Sequence, residues 1–373
     1  MIDTKKDKEF LKDLINAVSP SGQEQAATEV WKKHLESIPG VAFNLMEAYK
    51  DKIGNSAYLI GDGPTKILLS AHIDQVNARV VGIQDNGLIN LQYTGGIDNR
   101  CLPGSKVMIL SDSDDRSVDI TGAVIKQAMH LDESDSWPKN HRDMSQLKVD
   151  IGAETKEEVE KLGIHPGSLV VYVPDCNPDF GENRICSTSL DDKIGVFVVA
   201  EVLKALVEDI ESKVGNIPED HWCRKYTVLG LAATQEETGL RGATVAAKAL
   251  NPDISIDLDV DFATDDDLVK EKDKIGDLNL GKGPILSWGC DKSIRLNRIL
   301  KEVAKKGDIK YQEASSTAGG TDTDAIQLSA LDCETTHLAI PNRSMHTQNE
   351  VCDWRDIQGA VEIIVNSIIG CEL

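Results

Sequence analysis

Two kinds of hydrophobic pattern alternate along most of the chain. Short apolar runs bounded by turn residues indicate buried strands over residues 66–71, 226–233, 254–258 and 336–340. Apolar positions at helical spacing predict helices over residues 196–206, 243–250, 294–304 and 357–369. Because strands and helices take turns, the pattern predicts an α/β fold, with a doubly wound mixed sheet flanked by helices.

The first 40 residues have the pattern of two amphipathic helices. In the first helix, apolar residues such as Phe10 and Leu14 recur at helical spacing. The later segment Ser21-Gly22-Gln23-Glu24 matches a capping box, in which the serine and the glutamate bond free amides at a helix start. We therefore expect the second helix to begin at this segment and to run through Trp31.

A different pattern lies between residues 76 and 174. Short alternating strands such as 80–83 and 88–91 flank Asp85-Asn86-Gly87, a strong hairpin turn. One candidate helix over residues 155–162 ends at a glycine. We predict a small β-barrel domain, residues 76–174, inserted between the two parts of the α/β domain, residues 1–75 and 175–373.

The charge and the cysteines narrow the classes of partner. Lys and Arg number 40 against 62 Asp and Glu, a formal charge of -22, which repels nucleic acid and anionic membrane surfaces. The eight cysteines contain no C-x-x-C pair, so they fit reduced thiols better than a zinc ribbon or a disulfide framework. Without a run long enough to cross a bilayer, we expect a cytoplasmic enzyme that has neither nucleic acid nor membrane as partner.

His72 and Asp74 follow the first predicted sheet strand. Residues two apart in extended backbone share a face, so Asp74 can orient the imidazole while His72 binds a metal. The pattern is short, and a surface histidine beside a surface acid is the alternative interpretation.

Asp191 and Asp192 stand just before the predicted helix 196–206. A plain helix cap explains them locally as well as a metal site does. As a ligand, Asp191 could span two cations about 3.5–4 Å apart. Asp192 would then lie just outside the ligand set.

Glu236 and Glu237 follow the predicted strand 226–233. Neighbouring side chains of extended backbone point to opposite sides, so one can bind metal while the other faces substrate. We assign Glu237 as a ligand and Glu236 as the general base that takes a proton from water. The alternative is a solvated acidic turn.

The last two predicted ligands are Asp259 and His346. Asp257, Asp259 and Asp261 fall on one face of a strand, and three neighbouring carboxylates are costly without cations. Asp259 directly follows the apolar run, and His346 follows the run 336–340; the alternatives are an exposed edge strand and an exposed loop histidine. The other histidines are interpreted as non-ligands: His34, His130, His141, His165, His221 and His337.

Taken together, these pieces resemble the zinc- or cobalt-dependent aminopeptidases of the glutamyl and deblocking type, whose members form hollow tetrahedral particles. The resemblance runs nearly from end to end. It also includes the segments 19–24, 85–87, 95–96, 151–153, 281–284 and 319–322. It implies a zinc-peptidase-like fold, peptide substrates with a free N-terminus, and a homo-oligomer of dimers assembling to a dodecamer.

The resemblance also implies roles for individual residues. His72, Asp191 and Asp259 would hold one metal, Asp191, Glu237 and His346 the other, and Glu236 would act as acid and base. Two divalent ions per subunit follow, zinc or cobalt, with manganese as a further candidate. The implied substrate-binding residues are Asp265, Gly320, Thr321, Asp322 and Arg343. Lys193 and Ser344 depart from the arginine and tyrosine that are common in the family.

Other functions share part of this pattern. A related two-metal carboxypeptidase or dipeptidase has the same ligand types, but its extra domain usually follows the third ligand. A glycoside hydrolase needs two carboxylates across a sugar and leaves His72 and His346 unexplained. A scaffold protein that has lost turnover would not need Glu236. The preferred N-terminal residue and the native metal stay open.

Overall fold

The structure is a computed structural model that describes residues 4–40, 45–111, 119–126, 147–267, 269–270, 272–315 and 320–373. The helices are α1 (Thr4–Asn16), α2 (Gln25–Glu36), α3 (Lys156–Lys161), α4 (Leu190–Glu211), α5 (Trp222–Lys225), α6 (Arg241–Leu250), α7 (Lys272–Ile275), α8 (Ile294–Lys306), α9 (Asp322–Ser329) and α10 (Trp354–Ile369). Among the described residues, no helix has both the length and the apolar character needed to span a bilayer.

Within the described ranges, seventeen strands form two sheets and a barrel. The strands are β1 (Leu45–Lys50), β2 (Ser56–Ile60), β3 (Thr65–His72), β4 (Asn77–Ile83), β5 (Ile89–Thr94), β6 (Lys106–Ile109), β7 (Ile120–Ile125), β8 (Lys148–Asp150), β9 (Leu169–Tyr172), β10 (Cys176–Phe180), β11 (Arg184–Ser187), β12 (Tyr226–Ala233), β13 (Ile254–Phe262), β14 (Ile285–Trp288), β15 (Gln312–Ser315), β16 (Glu334–Asn342) and β17 (Glu350–Asp353).

The main sheet has eight strands in the order β1-β2-β12-β3-β13-β16-β14-β15. Its central strands β12, β3, β13 and β16 are parallel, and most of their residues are buried, as expected for strands covered on both faces. The antiparallel pairs lie toward the two edges of the sheet. The predicted mixed α/β sheet is therefore confirmed.

Helices cover both faces of this sheet. On one face, α4 packs against β3 and β13 and is itself covered by α1, α2 and α10. Residues 190–203 of α4 are all buried, since this part of the helix is mostly apolar, whereas Glu208 and Glu211 near its end are exposed. On the other face, α6 packs against α9. The sheet is thus wound on both sides.

Six strands close into a barrel in the order β4-β5-β8-β7-β6-β9. Its antiparallel strands alternate apolar and polar positions, and the apolar side chains meet in a core of their own around residues such as Ile89, Val107, Val149 and Val170. The barrel strands fall between Asn77 and Tyr172 in the sequence. The predicted barrel is present, and α3 lies in the same stretch of chain.

The structure corrects the predicted start of the second helix. Helix α2 begins at Gln25 with Glu24 as its N-cap, and no side chain caps it. The Ser21 hydroxyl instead donates to Asp74 at 2.7 Å, and the Glu24 carboxylate accepts from the Gly22 amide at 2.6 Å. The capping-box prediction was wrong because Ser21 is committed to a tertiary contact.

Candidate metal and active site

Strands β3, β12, β13 and β16, or the residues that follow them, bring four of the five predicted ligands to one edge of the main sheet. Strand β3 ends at His72, which pairs in register with Ala233 at the end of β12. Glu237 follows β12, and His346 follows β16. Strand β13 continues past its predicted end because it pairs with β16 as far as Phe262, so Asp259 lies within the strand. Carboxyl ends of parallel strands are where open α/β sheets place their sites.

Asp191 lies at the centre of this edge. Its Oδ1 is 3.0 Å from Nε2 of His72, and its Oδ2 is 3.0 Å from Nε2 of His346. Each carboxylate oxygen therefore faces a different imidazole. A single side chain thus connects two histidines that lie far apart in the sequence.

Two further carboxylates complete the groups around these histidines. Oδ1 of Asp259 is 3.7 Å from Nε2 of His72, and Oε1 of Glu237 is 3.6 Å from Nε2 of His346. Ligand atoms of His72, Asp191 and Glu237 all lie within 4.8 Å of one another. All five predicted metal ligands therefore converge on one place.

The chemistry of this group fits divalent cations. Oε1 of Glu237 is buried and has no hydrogen-bond partner among the described residues. Burial, followed by the charge of Asp191, raises the pKa of Glu237 to about 8, and burial also raises the pKa of Asp259 well above its ordinary value. Buried carboxylates this close repel one another, and cations between them would relieve that cost.

The two histidines present the same nitrogen to the site. Nδ1 of His72 is 3.1 Å from the backbone oxygen of Asp74, and Nδ1 of His346 is 3.1 Å from that of Gly96. A neutral imidazole that donates from Nδ1 keeps a lone pair on Nε2. Both rings are therefore oriented for Nε2 to act as a metal ligand.

Without a cation, the imidazoles and Asp191 stabilise each other's charges. Burial alone would lower the pKa of His346, but Asp191 and Glu237 outweigh it and raise that pKa to about 10. Burial alone would raise the pKa of Asp191, but the two imidazoles hold it well below its usual range. The site therefore favours a carboxylate at its centre.

Asp74 is buried, and it contacts the backbone of Glu236 and Glu237 in addition to the predicted partner His72. Its Oδ1 lies 3.5 Å from Nδ1 of His72, and it also accepts from the amide of Glu236 at 2.9 Å. Its Oδ2 accepts from the amide of Glu237 at 3.3 Å. Asp74 thus connects β3 to the Glu236-Glu237 backbone.

Asp192 caps the regular turns of α4, which begin after the irregular first residues of this helix. Its Oδ1 accepts from the Gly195 amide at 2.9 Å, and its Oδ2 accepts from the His72 amide at 3.2 Å. Asp191 and Asp192 have non-helical backbone angles, and the peptide bond between them is cis. The cap and the candidate ligand are therefore two neighbouring residues, so the two interpretations of this segment are compatible.

Sequence reasoning missed Glu350, which lies on the short strand β17. Its Oε2 accepts from the Asp191 amide at 2.9 Å, and its Oε1 accepts from the His346 amide at 3.1 Å. Burial and the charge of Asp191 raise the pKa of Glu350 to about 8. No local pattern marks this residue, because its partners come from distant segments.

Glu236 lines a cavity of about 420 Å³ that opens on the five predicted ligands. Burial raises its pKa to about 9; His72 opposes this shift, whereas Asp322 and Glu237 add to it. A carboxyl group with a raised pKa can accept a proton and hold it near neutral pH. The Glu236 side chain lies beside the ligand cluster in the cavity wall.

The predicted substrate-binding residues fall into two sets. Gly320 and Thr321 line the cavity, and Asp322 is buried behind them with no hydrogen-bond partner for either carboxylate oxygen among the described residues. Asp265 and Arg343 lie outside the cavity lining and pair with each other at 2.6 Å. Residue 319 of the predicted pocket loop lies outside the described residues.

His337, which sequence reasoning set aside, lines the same cavity. Its Cα is the register partner of Asp257, so its side chain can reach the group that Asp257 and Asp259 form. Burial lowers the pKa of His337 to about 3. Only the pairing of β13 with β16 reveals this neighbour, since no sequence spacing links the residues.

Lys193 is fully buried beneath the site. Its Nζ donates to the backbone oxygens of Leu14 and Ala17, each at 2.8 Å, and to Gln75 at 3.3 Å. Burial lowers its pKa to about 7. The lysine thereby ties the end of α1 to the start of α4.

Comparison with protein families identifies the family to which this chain belongs. A model described as M42 glutamyl aminopeptidase matches residues 54–363, a span that contains every predicted ligand. The chain belongs to the M42 glutamyl aminopeptidase family. The resemblance inferred from the motifs is confirmed.

Similar proteins agree with this assignment. The lysyl aminopeptidase of Pyrococcus furiosus is 30% identical over 360 residues, covering 96% of this chain and 95% of the relative. The TET aminopeptidase of a marine sediment Thaumarchaeota archaeon superposes with a TM-score of 0.85 at 26% identity, covering 98% and 97% of the two chains. The TET1 peptidase of Pyrococcus horikoshii, which can assemble into a tetrahedron or a large octahedral shell, gives 0.80 at 27% identity, covering 97% and 99%.

This family membership confirms the predicted enzyme class, a metal-dependent aminopeptidase that hydrolyses peptides. It favours that class over the dipeptidase, glycosidase and inactive-scaffold alternatives. The predicted dependence on divalent metal agrees with the ligand cluster. The relatives also form large oligomers.

Proposed function

We propose that this protein removes N-terminal residues from peptides with a pair of divalent cations that Asp191 bridges. The observation that carries the proposal is the position of its two carboxylate oxygens, each 3.0 Å from a different imidazole. One carboxylate can bridge two cations about 3.5–4 Å apart. The geometry supports a two-metal site better than a single ion.

The ligands divide into two sets that share Asp191. His72 and Asp259 would complete one set, and Glu237 and His346 the other. Imidazole and carboxylate ligands suit zinc or cobalt, with manganese as a further candidate. When bound, such ions polarise the scissile carbonyl and make water easier to deprotonate.

Glu236 is the proposed general base. Its carboxylate lies in the cavity wall, where it would take a proton from the attacking water and pass it to the departing amine. Asp74 is a positioning residue, because it holds the amides of Glu236 and Glu237 and lies beside His72. Glu350 is a second positioning residue, since it holds the backbone of Asp191 and of His346.

Substrates would be peptides with a free N-terminus. Gly320 and Thr321 would form part of the wall around the first side chain, and Asp322 would support that wall. Asp265 and Arg343 are proposed to assist substrate binding as a pair, since each neutralises the other at 2.6 Å. Their effect would be indirect, because neither side chain lines the cavity.

The proposed organisation follows the sequence prediction. Residues 1–75 and 175–373 would form the catalytic domain, and residues 76–174 an inserted domain for assembly and access. We propose dimers that assemble to a dodecamer, as the relatives' large particles suggest. A cytoplasmic location is supported by the eight unpaired cysteines.

A single panel tests the proposal. Chromogenic aminoacyl substrates are offered to metal-free protein and to protein loaded with zinc, cobalt or manganese, while bound metal is counted by elemental analysis. We expect release of the N-terminal residue only from loaded protein, with two ions per chain at saturation. Hydrolysis that survives complete chelation, or cleavage restricted to N-blocked peptides, would refute the assignment.

A further inference from the structure

The cavity beside the predicted metal ligands carries a carboxylate that the proposed reaction does not use. Asp261 lies two residues beyond Asp259 on β13 and on the same face of the strand. A strand rises about 6.5 Å over two residues, which is the expected spacing between Asp259 and Asp261 along β13. A substrate whose first residue sits at Asp259 would therefore have Asp261 at the distance that a long side chain spans.

Asp261 has one oxygen available to a ligand. Its Oδ1 accepts from the Phe262 amide at 2.7 Å, and no other hydrogen bond to this carboxylate is present in the described part of the chain. The residue is only partly buried and lines the cavity. A partly buried carboxylate with an unused oxygen would gain from a cationic partner.

The neighbouring walls are apolar. Leu240 and Met345, which come from other segments of the chain, line the same cavity as Asp261. Lysine and arginine bury their methylene stems along apolar surface while the charged end reaches a polar group. The combination of apolar walls and a carboxylate at the required distance matches this type of side chain.

No lysine or arginine lines the cavity among the described residues. Arg343 is paired with Asp265 outside it, and Lys292 is buried in an ion pair with Asp291. The carboxylate of Asp291 therefore neutralises the charge of Lys292. An acidic substrate side chain would find no free cation here.

We propose that the protein prefers peptides that begin with lysine or arginine, and that Asp261 receives the positive charge of this first side chain. The inference rests on the proposed aminopeptidase function and assigns Asp261 as its specificity-determining residue. An N-terminal side chain without a charge would still fit the apolar walls. Its kcat/KM would be lower because the Asp261 carboxylate would stay unpaired.

The test compares lysyl and norleucyl substrates, which share a linear stem and differ in the terminal ammonium group. In metal-loaded wild type, we expect kcat/KM to be about 10–100-fold higher for the lysyl substrate. In Asp261→Asn, this ratio should fall to within about threefold of one, because only the lysyl substrate has a charge that needs this carboxylate. The ratio is internal to each preparation, so partial loss of metal or folding does not affect it.

Asp267→Asn is the matched control, because it removes the same charge from an exposed position six residues along the chain. We expect its lysyl-to-norleucyl ratio to equal that of wild type within about twofold. A preference for glutamyl substrates would overturn the proposal and point to Lys292. Equal loss for both substrates in Asp261→Asn would also overturn it, since Asp261 would then act on the common α-ammonium or on Asp259.

A binding measurement separates this proposal from the proposed function. Free lysine and free norleucine are titrated into the metal-loaded protein by calorimetry. We expect tighter binding of lysine in wild type and equal binding in Asp261→Asn. If the proposed aminopeptidase activity is absent while this difference persists, the function fails and the pocket assignment stands; equal binding to wild type overturns the pocket assignment alone.

Discussion

The carboxyl edge of the main sheet and the inserted barrel differ in what they bury. The edge buries charged side chains, among them His72, Asp191 and Glu350. Burial raises the pKa of Glu350, whereas the mutual attraction of the imidazole and the carboxylate outweighs burial at His72 and Asp191. In the described part of the barrel, the buried core consists of aliphatic and aromatic residues, and no buried side chain is charged. Buried charges cost stability, whereas apolar burial supplies it.

The two regions touch at Gly96. Gly96 follows the second barrel strand, and its backbone oxygen lies 3.1 Å from Nδ1 of His346. A Cβ built on Gly96 would come within 2.4 Å of that ring nitrogen. The comparison therefore predicts that changes at the edge alter chemistry, that changes in the barrel core alter stability, and that Gly96 connects both.

Glu236→Gln should give the largest effect. The amide keeps the shape of the side chain but cannot take a proton, so we expect kcat to fall by about 10²–10⁴-fold while metal content stays unchanged. Steady-state kinetics and elemental analysis measure the two quantities. Glu219→Gln, at an exposed position, is the control and should behave as wild type. An unaltered rate in Glu236→Gln would reject the assigned base.

Ile89→Ala tests the barrel core. Ile89 is fully buried, and its truncation should lower the free energy of unfolding by about 2–5 kcal/mol, because it leaves a cavity. Val81→Ala, at an exposed barrel position, should change it by less than about 0.5 kcal/mol. Urea denaturation measures the loss. If kcat of the folded Ile89→Ala protein also falls strongly, the barrel core is not separate from the chemistry.

Gly96→Ala tests the junction. The added methyl group would displace the His346 ring, so we expect affinity for the metal at His346 to fall by about 100-fold. Gly82→Ala is matched within the barrel, because its Cβ would meet its nearest neighbour at an ordinary 3.6 Å. Calorimetric titration of metal into apo protein distinguishes the two variants. Identical affinities would show that His346 does not depend on the barrel.

Glu350→Gln tests how the two ligand segments are held. Both oxygens of Glu350 accept from amides, and a glutamine must turn its NH₂ group toward one of those donors. We expect about a 10-fold loss of metal affinity, with the fold retained. Glu302→Gln, on an exposed face of α8, serves as the control. Metal affinity equal to wild type would remove Glu350 from the positioning residues.

Lys193→Met should give the smallest effect, and only as a function of pH. The pKa of Lys193 is about 7 in the folded protein against an ordinary 10.5, so the unfolded chain binds more protons between these values. Stability should therefore rise with pH across this window, by up to about 1 kcal/mol per pH unit, and the rise should be weaker in the variant.

The measurement for Lys193 is urea unfolding of wild type and Lys193→Met at several pH values between 7 and 9. The difference in free energy should grow in favour of wild type as pH rises. Lys305→Met, at an exposed lysine with a raised pKa, should show no such trend. A constant difference for Lys193→Met would mean that this amine is charged throughout the range.

Much of the architecture could be predicted from local pattern. The strand over residues 226–233 and the α/β alternation follow from apolar runs and helical spacing, which each segment contains by itself. The five candidate ligands could also be selected from local pattern. Each is a histidine or an acid that ends or follows an apolar strand, or that precedes a predicted helix. Their roles stay predictions that the metal titrations test.

Other features depend on contacts between segments that no local pattern records. The capping box failed because Ser21 bonds Asp74, 53 residues away. The pairing of β13 with β16 places His337 in the cavity wall. Glu350 bonds the backbone of two segments, and the one that contains Asp191 lies 159 residues away. The sequence by itself determined which segments form strands and helices and which ligand types they carry, since these depend on neighbouring residues. Only the tertiary structure decided which oxygen faces which imidazole, because that depends on how the sheet is paired.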